Sequence, residues 1–325
     1  MLKDEVLSIL ESNININISG SDIGKKLHLT RAAVWKAVKA LREGGYIIEA
    51  IQNKGYCLIP QNRQISISGI RKTLKTQILG KEIEILQTVG STNEYIKMAA
   101  QNGANEGLVV IAEQQTNGKG RQGRSFASPK GVGIYMSVLL RPDFAAEDAS
   151  FATVAAAVAV SNAIENVAKF NPAIKWINDI FYNGKKLCGI LTEASLECET
   201  GKLQYLIIGI GINISETSSN LPNELSEIVT SIVDIVGFEV SRNELIASVL
   251  NELENSLSML QNNKQNILEQ YKKRLFILGK AIFLQSKESQ EKVTAIDIDS
   301  NAHLIVQYDD GTIKAIASGE VSIKI

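Results

Sequence analysis

A glycine-rich basic loop at residues 118–124 places the strongest constraint on what this chain can fold into. The loop reads Gly118, Lys119, Gly120, Arg121, Gln122, Gly123 and Arg124. Glycines accept positive φ and close backbone approach, so successive N–H groups can converge on an oxyanion, while lysine and arginine add long-range attraction. The loop therefore predicts a phosphate site, and the alternative is a solvated basic turn.

The flanking sequence excludes a dinucleotide-binding fold. The loop has the G-x-G-x-x-G spacing, but that fingerprint requires a strand before it and a helix after it. Residues 108–112 are typical of a strand, whereas the residues after the loop include Pro129 and Gly131, which indicate irregular structure. The sequence contains neither a Walker A motif nor the kinase signature elements. A phosphate site here belongs to another fold.

Length, charge and cysteine usage bound the class of protein. A chain of 325 residues predicts two or three domains, and a net charge of -1 means that any nucleic-acid surface is a local patch. Three cysteines without C-x-x-C spacing favour reduced thiols over a zinc site. The amino terminus lacks an apolar signal region, and the longest apolar run, 205–214, is too short to span a bilayer. We therefore expect a cytoplasmic protein that does not contact the membrane.

The first sixty residues predict a winged helix-turn-helix domain. Ser21 and Asp22 offer a cap for a second helix, Thr30 caps a third, and Gly44 and Gly45 end it. The predicted elements are helices at 6–10, 21–27 and 30–42, and strands at 46–50 and 56–59 around a turn at 52–55. This order places a recognition helix before a β wing.

The predicted winged helix carries a local excess of positive charge. Residues 21–59 contain seven Lys or Arg against three Asp or Glu, although the whole chain is nearly neutral. This balance favours DNA binding, and the alternative is a protein-contact module with solvated helix faces. The residues predicted to contact DNA are Thr30, Arg31, Ala32, Trp35, Lys36 and Lys39 on the helix, with Lys54 and Tyr56 on the wing.

The rest of the chain predicts an α+β organisation. The central region has predicted strands at 82–86, 108–112, 134–140, 186–193 and 203–212, and helices at 92–101, 147–168 and 242–261. Short turns at 183–184 and 200–201 favour antiparallel hairpins and hence a mixed sheet. Five short strand-like segments after 280, with turns at 299–301 and 309–311, predict a small all-β barrel. The polar stretch 60–64 marks a boundary, which gives domains at 1–62, 63–275 and 276–325.

Further motifs in the central region carry a family resemblance. They are Ser91-Thr92-Asn93, Glu113-Gln114-Gln115, the segment from Lys175 through Trp176, Ile177 and Asn178 to Asp179, the strand that begins Lys186-Leu187-Cys188-Gly189, and Gly209-Ile210-Gly211-Ile212-Asn213. Each alone has a structural explanation, such as a helix cap or a turn. In this order, and with the glycine loop, they resemble biotin protein ligases. The amino-terminal winged helix is similar to that of the bifunctional bacterial members, which also repress biotin genes.

The resemblance implies a class II synthetase-like catalytic domain, an SH3-like carboxy-terminal domain and two reactions. Biotin and MgATP would form biotinyl-5′-AMP and pyrophosphate, and a lysine of a carboxylase carrier domain would then attack the adenylate to form an amide. Carboxylate attack on phosphorus brings two anions together, so the site must supply positive charge. The resemblance further implies a homodimer that forms on adenylate binding and binds operator DNA.

The resemblance also implies roles for individual residues. The catalytic group comprises Lys186, Arg121, Arg124 and Asp179, and Asp179 is also the predicted Mg²⁺ ligand or the base for the incoming lysine. The biotin-binding group comprises Ser91, Thr92, Asn93, Gln115, Gly118, Lys119, Gly120, Arg121, Lys186, Gly209 and Gly211. The nucleotide-binding group comprises Arg121, Arg124, Phe126, Trp176, Asn178, Lys186 and Asn213.

Three positions depart from the family pattern, and two other functions are alternatives. Ile177 stands where proline is usual, Lys119 where arginine is common, and Phe126 where tryptophan is common. Lysine at position 119 cannot make the two parallel hydrogen bonds that arginine can make. Phenylalanine at position 126 still offers an aromatic face for stacking. The alternatives are a lipoate protein ligase, which shares the acyl-adenylate chemistry, and a DNA-binding repressor that senses a ligand without catalysis.

Overall fold

The fold is described from a computed structural model of the chain. It describes residues 2–13, 15–43, 46–51, 54–59, 64–142, 149–197, 203–217, 222–285, 290–317 and 319–322. Several sequence predictions fall outside these residues: the helix end at Gly44 and Gly45, most of the boundary at 60–64, the turn at 200–201 and Cys198. Residues 1–74 with 241–247 form one compact unit, and 75–240 with 248–325 form a second. The two boundaries between the three predicted domains stay a prediction.

The first unit contains the predicted helices and wing. Its elements are α1 (Leu2–Glu11), α2 (Gly20–Leu27), α3 (Arg31–Glu43), β1 (Ile48–Ile51), β2 (Gly55–Leu58) and α4 (Ile67–Arg71). Apolar side chains of the first three helices, among them Leu10, Ile23 and Val38, form one buried core. Strands β1 and β2 pair antiparallel as the wing. The sequence predicts all of these elements except α4.

The cap of α2 differs from the sequence prediction. Ser19, two residues earlier than Ser21, is the N-cap, and its hydroxyl oxygen accepts a hydrogen bond from the Asp22 backbone N–H at 3.0 Å. Asp22 lies in the first turn, where its carboxylate accepts the Ser19 hydroxyl proton. The prediction that Ser21 and Asp22 begin the helix was wrong because Asp22 acts as the third helical residue of this cap.

The second unit is built on a seven-stranded mixed sheet. Its strands are β3 (Ile83–Leu86), β4 (Val109–Ala112), β5 (Gly133–Leu140), β6 (Ala173–Lys175), β7 (Asp179–Tyr182), β8 (Lys185–Leu196) and β9 (Leu203–Asn213). They lie in the order β3-β4-β5-β9-β8-β7-β6, in which β3 and β4 are parallel and every other pair is antiparallel. The prediction of a mixed sheet is confirmed. Strands β6 and β7 were missed because each is too short to show a clear alternation.

Six helices accompany this sheet in the part of the chain that the structure describes. They are α5 (Thr92–Gln101), α6 (Ala149–Ala168), α7 (Asn223–Ile228), α8 (Ile232–Val236), α9 (Arg242–Asn262), whose first turns belong to the first unit, and α10 (Lys264–Arg274). Helix α6 is long and apolar enough to cross a membrane, but 78% of its apolar window is buried inside the protein. It is therefore a core helix, and its alanines and valines permit close packing.

The carboxy-terminal segment forms a separate small sheet within the second unit. It comprises β10 (Ala281–Gln285), β11 (Gln290–Ile298), β12 (Leu304–Gln307), β13 (Ile313–Ile316) and β14 (Glu320–Ser322), all paired antiparallel in the order β13-β12-β11-β10-β14. The turn at 299–301 is closed by Asp299, whose carboxylate accepts from the Asn301 and His303 backbone N–H groups at 2.8 Å each. The predicted small all-β domain is confirmed.

Candidate functional site

One cavity, about 940 Å³ with its open mouth included, gathers nearly all the residues predicted for catalysis and for biotin and nucleotide binding. The predicted residues that line it are Ser91, Thr92, Asn93, Gln115, Lys119, Gly120, Arg121, Arg124, Phe126, Trp176, Asn178, Asp179, Lys186, Gly209 and Gly211. Two more lining residues, Gly319 and Val321, come from the small carboxy-terminal sheet.

The floor of the cavity is made of glycines on β8 and β9. Gly189 and Gly211 pair directly across these strands, and the Phe126 ring lies over both. A Cβ atom at position 211 would stand 2.5 Å from Cε1 of that ring, and one at position 189 would stand 3.3 Å from Cε2. The missing side chains therefore let an aromatic ring lie directly on the sheet.

The glycine loop forms a small hairpin over this floor. The Gly120 N–H donates to the Arg124 carbonyl at 2.7 Å, and the Phe126 N–H donates to the Gly118 carbonyl at 2.8 Å. Gln122 at the tip has φ +56°, and Gly123 has φ +76°. At Gly118 a Cβ would stand 2.4 Å from the Phe126 carbonyl oxygen, so the hairpin requires glycine there.

Lys119 in this hairpin is paired with Glu94 on α5. Its ammonium contacts Glu94 Oε1, and both side chains are about two-fifths exposed. The hydrogen bond lowers the pKa of the Glu94 carboxyl and raises the pKa of Lys119. The pair fastens one strand of the hairpin to the helix that begins at the Ser91-Thr92-Asn93 motif.

One end of the cavity is cationic because it contains Arg121 and Lys186. Arg121 Nη1 donates to Asn178 Oδ1 at 3.0 Å, and its Nη2 donates to the Gly319 carbonyl at 3.2 Å. Lys186 Nζ lies 2.7 Å from Asp179 Oδ1 in an ion pair. That contact is not aligned as a hydrogen bond, since no described group hydrogen-bonds the buried Asp179 Oδ1. Arg121 and Lys186 thus lie in one cavity, and Lys119, Arg124 and Lys175 also line it.

A bulge in β8 brings Lys186 to the cavity side of the sheet. Ile180 of β7 pairs with Cys188, but the next residue, Phe181, pairs with Lys186, so Leu187 is extra. Regular alternation would place Lys186 on the face opposite Gly189. Because of the bulge, Lys186 Nζ instead lies 3.2 Å from where a Gly189 Cβ would stand.

The turn between β6 and β7 positions Asn178 through buried contacts. Asn178 Nδ2 donates to the Ile190 carbonyl at 2.6 Å, which aims its Oδ1 at Arg121. The Trp176–Ile177 peptide bond is cis, and the Ile177 carbonyl accepts from the buried Tyr271 hydroxyl at 3.0 Å. Ile177, one of the positions that depart from the pattern the sequence resembles, lies in this turn.

Trp176 is buried and hydrogen-bonded within the protein, which its predicted role in nucleotide binding does not require. The side chain is 3% exposed, and its indole N–H donates to the Ala302 carbonyl of the small sheet at 3.1 Å. It contributes a wall of the cavity while its indole N–H is already hydrogen-bonded.

Cys188, close to Lys186, is also buried, and burial raises the pKa of its thiol, which stays neutral at physiological pH.

The other end of the cavity is polar and uncharged. The Gln115 side-chain carbonyl accepts from the Thr92 backbone N–H at 2.8 Å, and its amide donates to the Ser128 hydroxyl at 2.9 Å. Ser91 occupies the N-cap position of α5, but its side chain makes no capping hydrogen bond. A cap therefore does not account for Ser91, which faces the cavity.

The structure does not bring every predicted residue to the cavity. Asn213 is absent from the lining, and its amide donates to the Thr230 carbonyl at 3.1 Å. Gly118 is also absent and acts through the hairpin. The sequence analysis assigned no role to five of the lining residues, although two of them belonged to quoted motifs. The two are Lys175 and Gly189, and the others are Met136, Gly319 and Val321.

The predicted DNA-binding residues of α3 share an exposed face in the first unit. Val34, Val38 and Leu41 are buried on the other side of the helix. Trp35 is 54% exposed, and Lys39 Nζ lies 5.7 Å from its ring centroid. The exposed members of the predicted set are Thr30, Arg31, Ala32, Trp35, Lys36, Lys39 and Lys54, whereas Tyr56 is half-buried and packs against Gly20.

No metal site built from protein ligands alone is present in the described part of the chain. There, no group of three or more His, Cys, Asp or Glu side chains is placed to hold a metal ion. Asp179 is a single carboxylate that is already paired with Lys186. This donor set fits only a cation held largely by substrate phosphates and water, as Mg²⁺ usually is.

Comparisons with known proteins agree with this geometry along the whole chain. An HTH domain model matches residues 3–57, the biotin/lipoate A/B protein ligase family matches 79–213, and the biotin protein ligase C terminal domain matches 277–324. The bifunctional ligase/repressor BirA of Bacillus subtilis is 39% identical over 249 residues, which cover 77% of this chain and 76% of that protein. The Escherichia coli protein of the same name is 27% identical over 313 residues, which cover 94% of this chain and 92% of that protein.

A solved structure supports the same assignment. The biotin protein ligase of Aquifex aeolicus in complex with biotin and ATP matches with a TM-score of 0.65 and 27% identity, over 74% of this chain and 98% of its own. This solved structure matches the catalytic fold. The amino-terminal domain is matched instead by the HTH domain model and by the full-length relatives. The chain belongs to the biotin protein ligase family, among the bifunctional ligase/repressors that carry an amino-terminal DNA-binding domain.

Proposed function

We propose that the cavity carries out both steps of protein biotinylation. In the first, a biotin carboxylate oxygen attacks the α-phosphorus of ATP, the bond to the β-phosphate oxygen breaks, and biotinyl-5′-AMP and pyrophosphate form. In the second, the ε-amine of a carrier-domain lysine attacks the biotinyl carbonyl. The bond to the phosphate breaks, the amine loses a proton, and AMP leaves.

The observation that carries this proposal is the pair of cations at one end of a cavity whose other end is neutral and polar. The first step accumulates negative charge at phosphorus and on the leaving pyrophosphate, so fixed positive groups lower its barrier. Arg121 is held by Asn178 and the Gly319 carbonyl, and Lys186 is held by Asp179. Both groups are thus positioned before substrate arrives.

The neutral end suits the ureido ring of biotin. A cyclic urea presents two N–H donors and one carbonyl acceptor, and it carries no charge. Ser91, Thr92 and Gln115 offer hydroxyl and amide groups around that end of the cavity. Asn93 and Phe126 occupy the space that side chains at 209 and 211 would take, so these two glycines let both residues form the surface on which the bicycle and the adenylate would lie. Phe126, which lies over Gly211, offers a stacking face for the nucleotide.

Asp179 has two proposed roles in the second part of the cycle. Its carboxylate can accept the proton of the incoming lysine, or it can orient Lys186, with which it is paired. Mg²⁺, when bound with ATP, would neutralise charge on the phosphates, and Asp179 is the protein ligand available in this cavity. The protein's own contribution remains the placement of Arg121 and Lys186.

The amino-terminal unit supports a second activity, repression of biotin genes. The exposed face of α3 carries Arg31, Lys36 and Lys39 around Trp35, a composition that suits phosphate contacts and base edges. We propose that the adenylate-bound protein forms a homodimer whose two winged helices bind operator half-sites. Both activities belong in the cytoplasm, where the carboxylase and the operator occur.

Isotope exchange between pyrophosphate and ATP tests the first step and separates the nearest alternative. We expect exchange that requires biotin and that lipoate does not support. Exchange with lipoate alone would assign the chain to the lipoate branch of the matched family. A lack of exchange with either acid, in a protein that binds biotin, would leave a ligand-sensing repressor without catalysis.

A further inference from the structure

A line of four hydrogen-bonded side chains runs from the neutral end of the cavity into the sheet. Thr92 Oγ1 lies 2.7 Å from Ser137 Oγ, and Ser137 Oγ lies 2.6 Å from Asn93 Oδ1. Asn93 Nδ2 lies 2.6 Å from Glu193 Oε2. Thr92, Ser137 and Asn93 are each less than 5% exposed. Only Thr92 and Asn93 line the cavity, so Ser137 and Glu193 act from behind it.

The direction of this line is set at its inner end. An ionised carboxylate only accepts hydrogen bonds, and so does a backbone carbonyl. Asn93 Nδ2 faces both Glu193 Oε2 and, at 3.4 Å, the Leu191 carbonyl. The nitrogen of the Asn93 amide must therefore point at Glu193, and its oxygen must point at Ser137. The oxygen packs where a Gly209 Cβ would stand, at 2.2 Å.

The remaining directions follow from counting protons. Asn93 Oδ1 can only accept, so the single Ser137 hydroxyl proton is donated to it. Ser137 then has no proton for Thr92, and the 2.7 Å contact requires Thr92 to donate to Ser137. The Gln115 side-chain carbonyl accepts from the Thr92 backbone N–H at 2.8 Å, and at 3.1 Å it is a second acceptor for the Thr92 hydroxyl proton. The Thr92 hydroxyl is left with lone pairs toward the cavity and no proton to offer there.

We propose that Glu193 is a positioning residue that fixes Thr92 as a hydrogen-bond acceptor, and thereby selects a ligand with an N–H group at that point. This inference rests on the proposed function, because a ureido N–H of biotin is the group that would donate to Thr92. Glu193 lies on β8 opposite Ile207 of β9 and does not touch the ligand. Without Glu193 only the longer 3.4 Å contact with the Leu191 carbonyl holds the Asn93 nitrogen, so the amide can turn over and the line can then run the other way.

Titration calorimetry of full-length protein with biotin tests the role of Glu193. We expect Glu193→Ala to weaken biotin binding by about tenfold or more, the loss expected when one well-placed hydrogen bond is reversed. Glu193→Gln should bind within about twofold of wild type, since its side-chain oxygen can still accept from Asn93. The matched control is Glu84→Ala, which removes a carboxylate bonded to Tyr95 elsewhere in the same unit and should not change binding.

A biotin analogue with a ring oxygen in place of one ureido N–H, prepared as each of its two isomers, supplies a second readout. One isomer lacks the N–H that faces Thr92. For that isomer, Glu193→Ala should cause no loss of binding affinity. The other isomer should keep the full penalty. Thermal unfolding of each variant identifies a loss of folding, and the comparison of ligands on one variant is independent of such a loss.

Equal penalties for biotin and for both isomers would overturn the inference, and so would equal effects of Glu193→Ala and Glu193→Gln. The second result would mean that Glu193 acts through its charge. These outcomes differ from a failure of the proposed function. If the wild-type protein bound no biotin and supported no exchange with it, the proposed function would fall, whatever Glu193 does.

Discussion

Lys186 Nζ lies 2.7 Å from Asp179 Oδ1, across a bulge that pairs Lys186 with Phe181 and leaves Leu187 extra. The bulge places the ammonium on the glycine side of the sheet, and Asp179, opposite Gly189, holds it there. An ammonium that is both exposed to the cavity and paired is available to an incoming phosphate without needing to be ordered first. The arrangement supports the proposal that Lys186 acts on both the carboxylate and the phosphate of the substrates.

Lys186→Ala and Arg121→Ala should each lower the rate of biotin-dependent pyrophosphate exchange by about a hundredfold, the usual cost of removing one charge-stabilising donor. Both variants should fold, because neither side chain belongs to the apolar core. Lys185→Ala is the matched control, since that neighbouring ammonium donates to the Ser226 carbonyl at the surface. Wild-type exchange in either active-site variant would refute the roles assigned to them.

Gly211→Ala should weaken adenylate binding without unfolding the protein. The new Cβ would stand 2.5 Å from the Phe126 ring, so the ring must leave the glycine floor. Overpacking of this kind costs about 1–3 kcal/mol, or roughly a tenfold to hundredfold loss in affinity. Gly90→Ala is the control, because a Cβ there meets nothing within 4 Å. Equal affinities of the two variants for biotinyl-AMP, measured by calorimetry, would count against a closely fitted floor.

Biotin with ATP should slow tryptic cleavage of the hairpin at Lys119, Arg121 and Arg124. Backbone hydrogen bonds and the ion pair between Lys119 and Glu94 stabilise the hairpin. The hairpin contains three glycines, of which Gly123 at the tip is exposed, so closing it on a ligand costs entropy that pairing with an anion offsets. Cleavage at Lys54, in the first unit, serves as the internal control. Unchanged cleavage of the hairpin would mean that it does not close on the adenylate.

Much of the fold follows from the sequence because local signals are strong. Helix α5 begins and ends at the predicted residues, and the Asn183-Gly184 turn joins β7 to β8 with both residues at positive φ, as its sequence predicts. The site follows less completely. The bulge at Leu187 breaks the alternation on which strand predictions rest, and nothing in its local sequence announces it.

Other parts of the site depend on contacts between distant segments. Gly319 reaches Arg121 from the small carboxy-terminal sheet, nearly two hundred residues along the chain. Ser137 and Glu193 are polar residues inside strands, where a sequence pattern cannot separate a solvent-facing position from a buried network. The family resemblance implied that Asn213 binds nucleotide, yet its amide donates to the Thr230 carbonyl.

DNA binding should depend on adenylate and on the exposed face of α3. One winged helix neutralises few phosphates, so its own affinity should be weak and steeply dependent on salt. Two copies in a dimer add their contacts if their half-sites lie whole turns apart, about 34 Å each. Footprinting of the biotin operon control region should therefore show protection with biotin and ATP, and little without them.

Variants of the helix test the same surface. Arg31→Ala and Lys36→Ala should weaken operator binding and reduce its salt dependence, while Lys3→Ala, on α1, should have little effect. Deletion of residues 1–59 should abolish protection and leave biotin ligation largely intact. Equal protection with and without biotin and ATP would mean that the DNA-binding unit is not coupled to the ligand.

The central claim is that this chain transfers biotin to protein, and mass spectrometry of a carboxylase carrier domain tests it most directly. The carrier is incubated with the full-length protein, biotin and MgATP, beside reactions that contain the Lys186→Ala variant or lack ATP. We predict that the carrier gains the mass of one biotinyl group on its acceptor lysine in the complete reaction only. A carrier of unchanged mass, under conditions in which the protein is folded and binds biotin, would contradict the account.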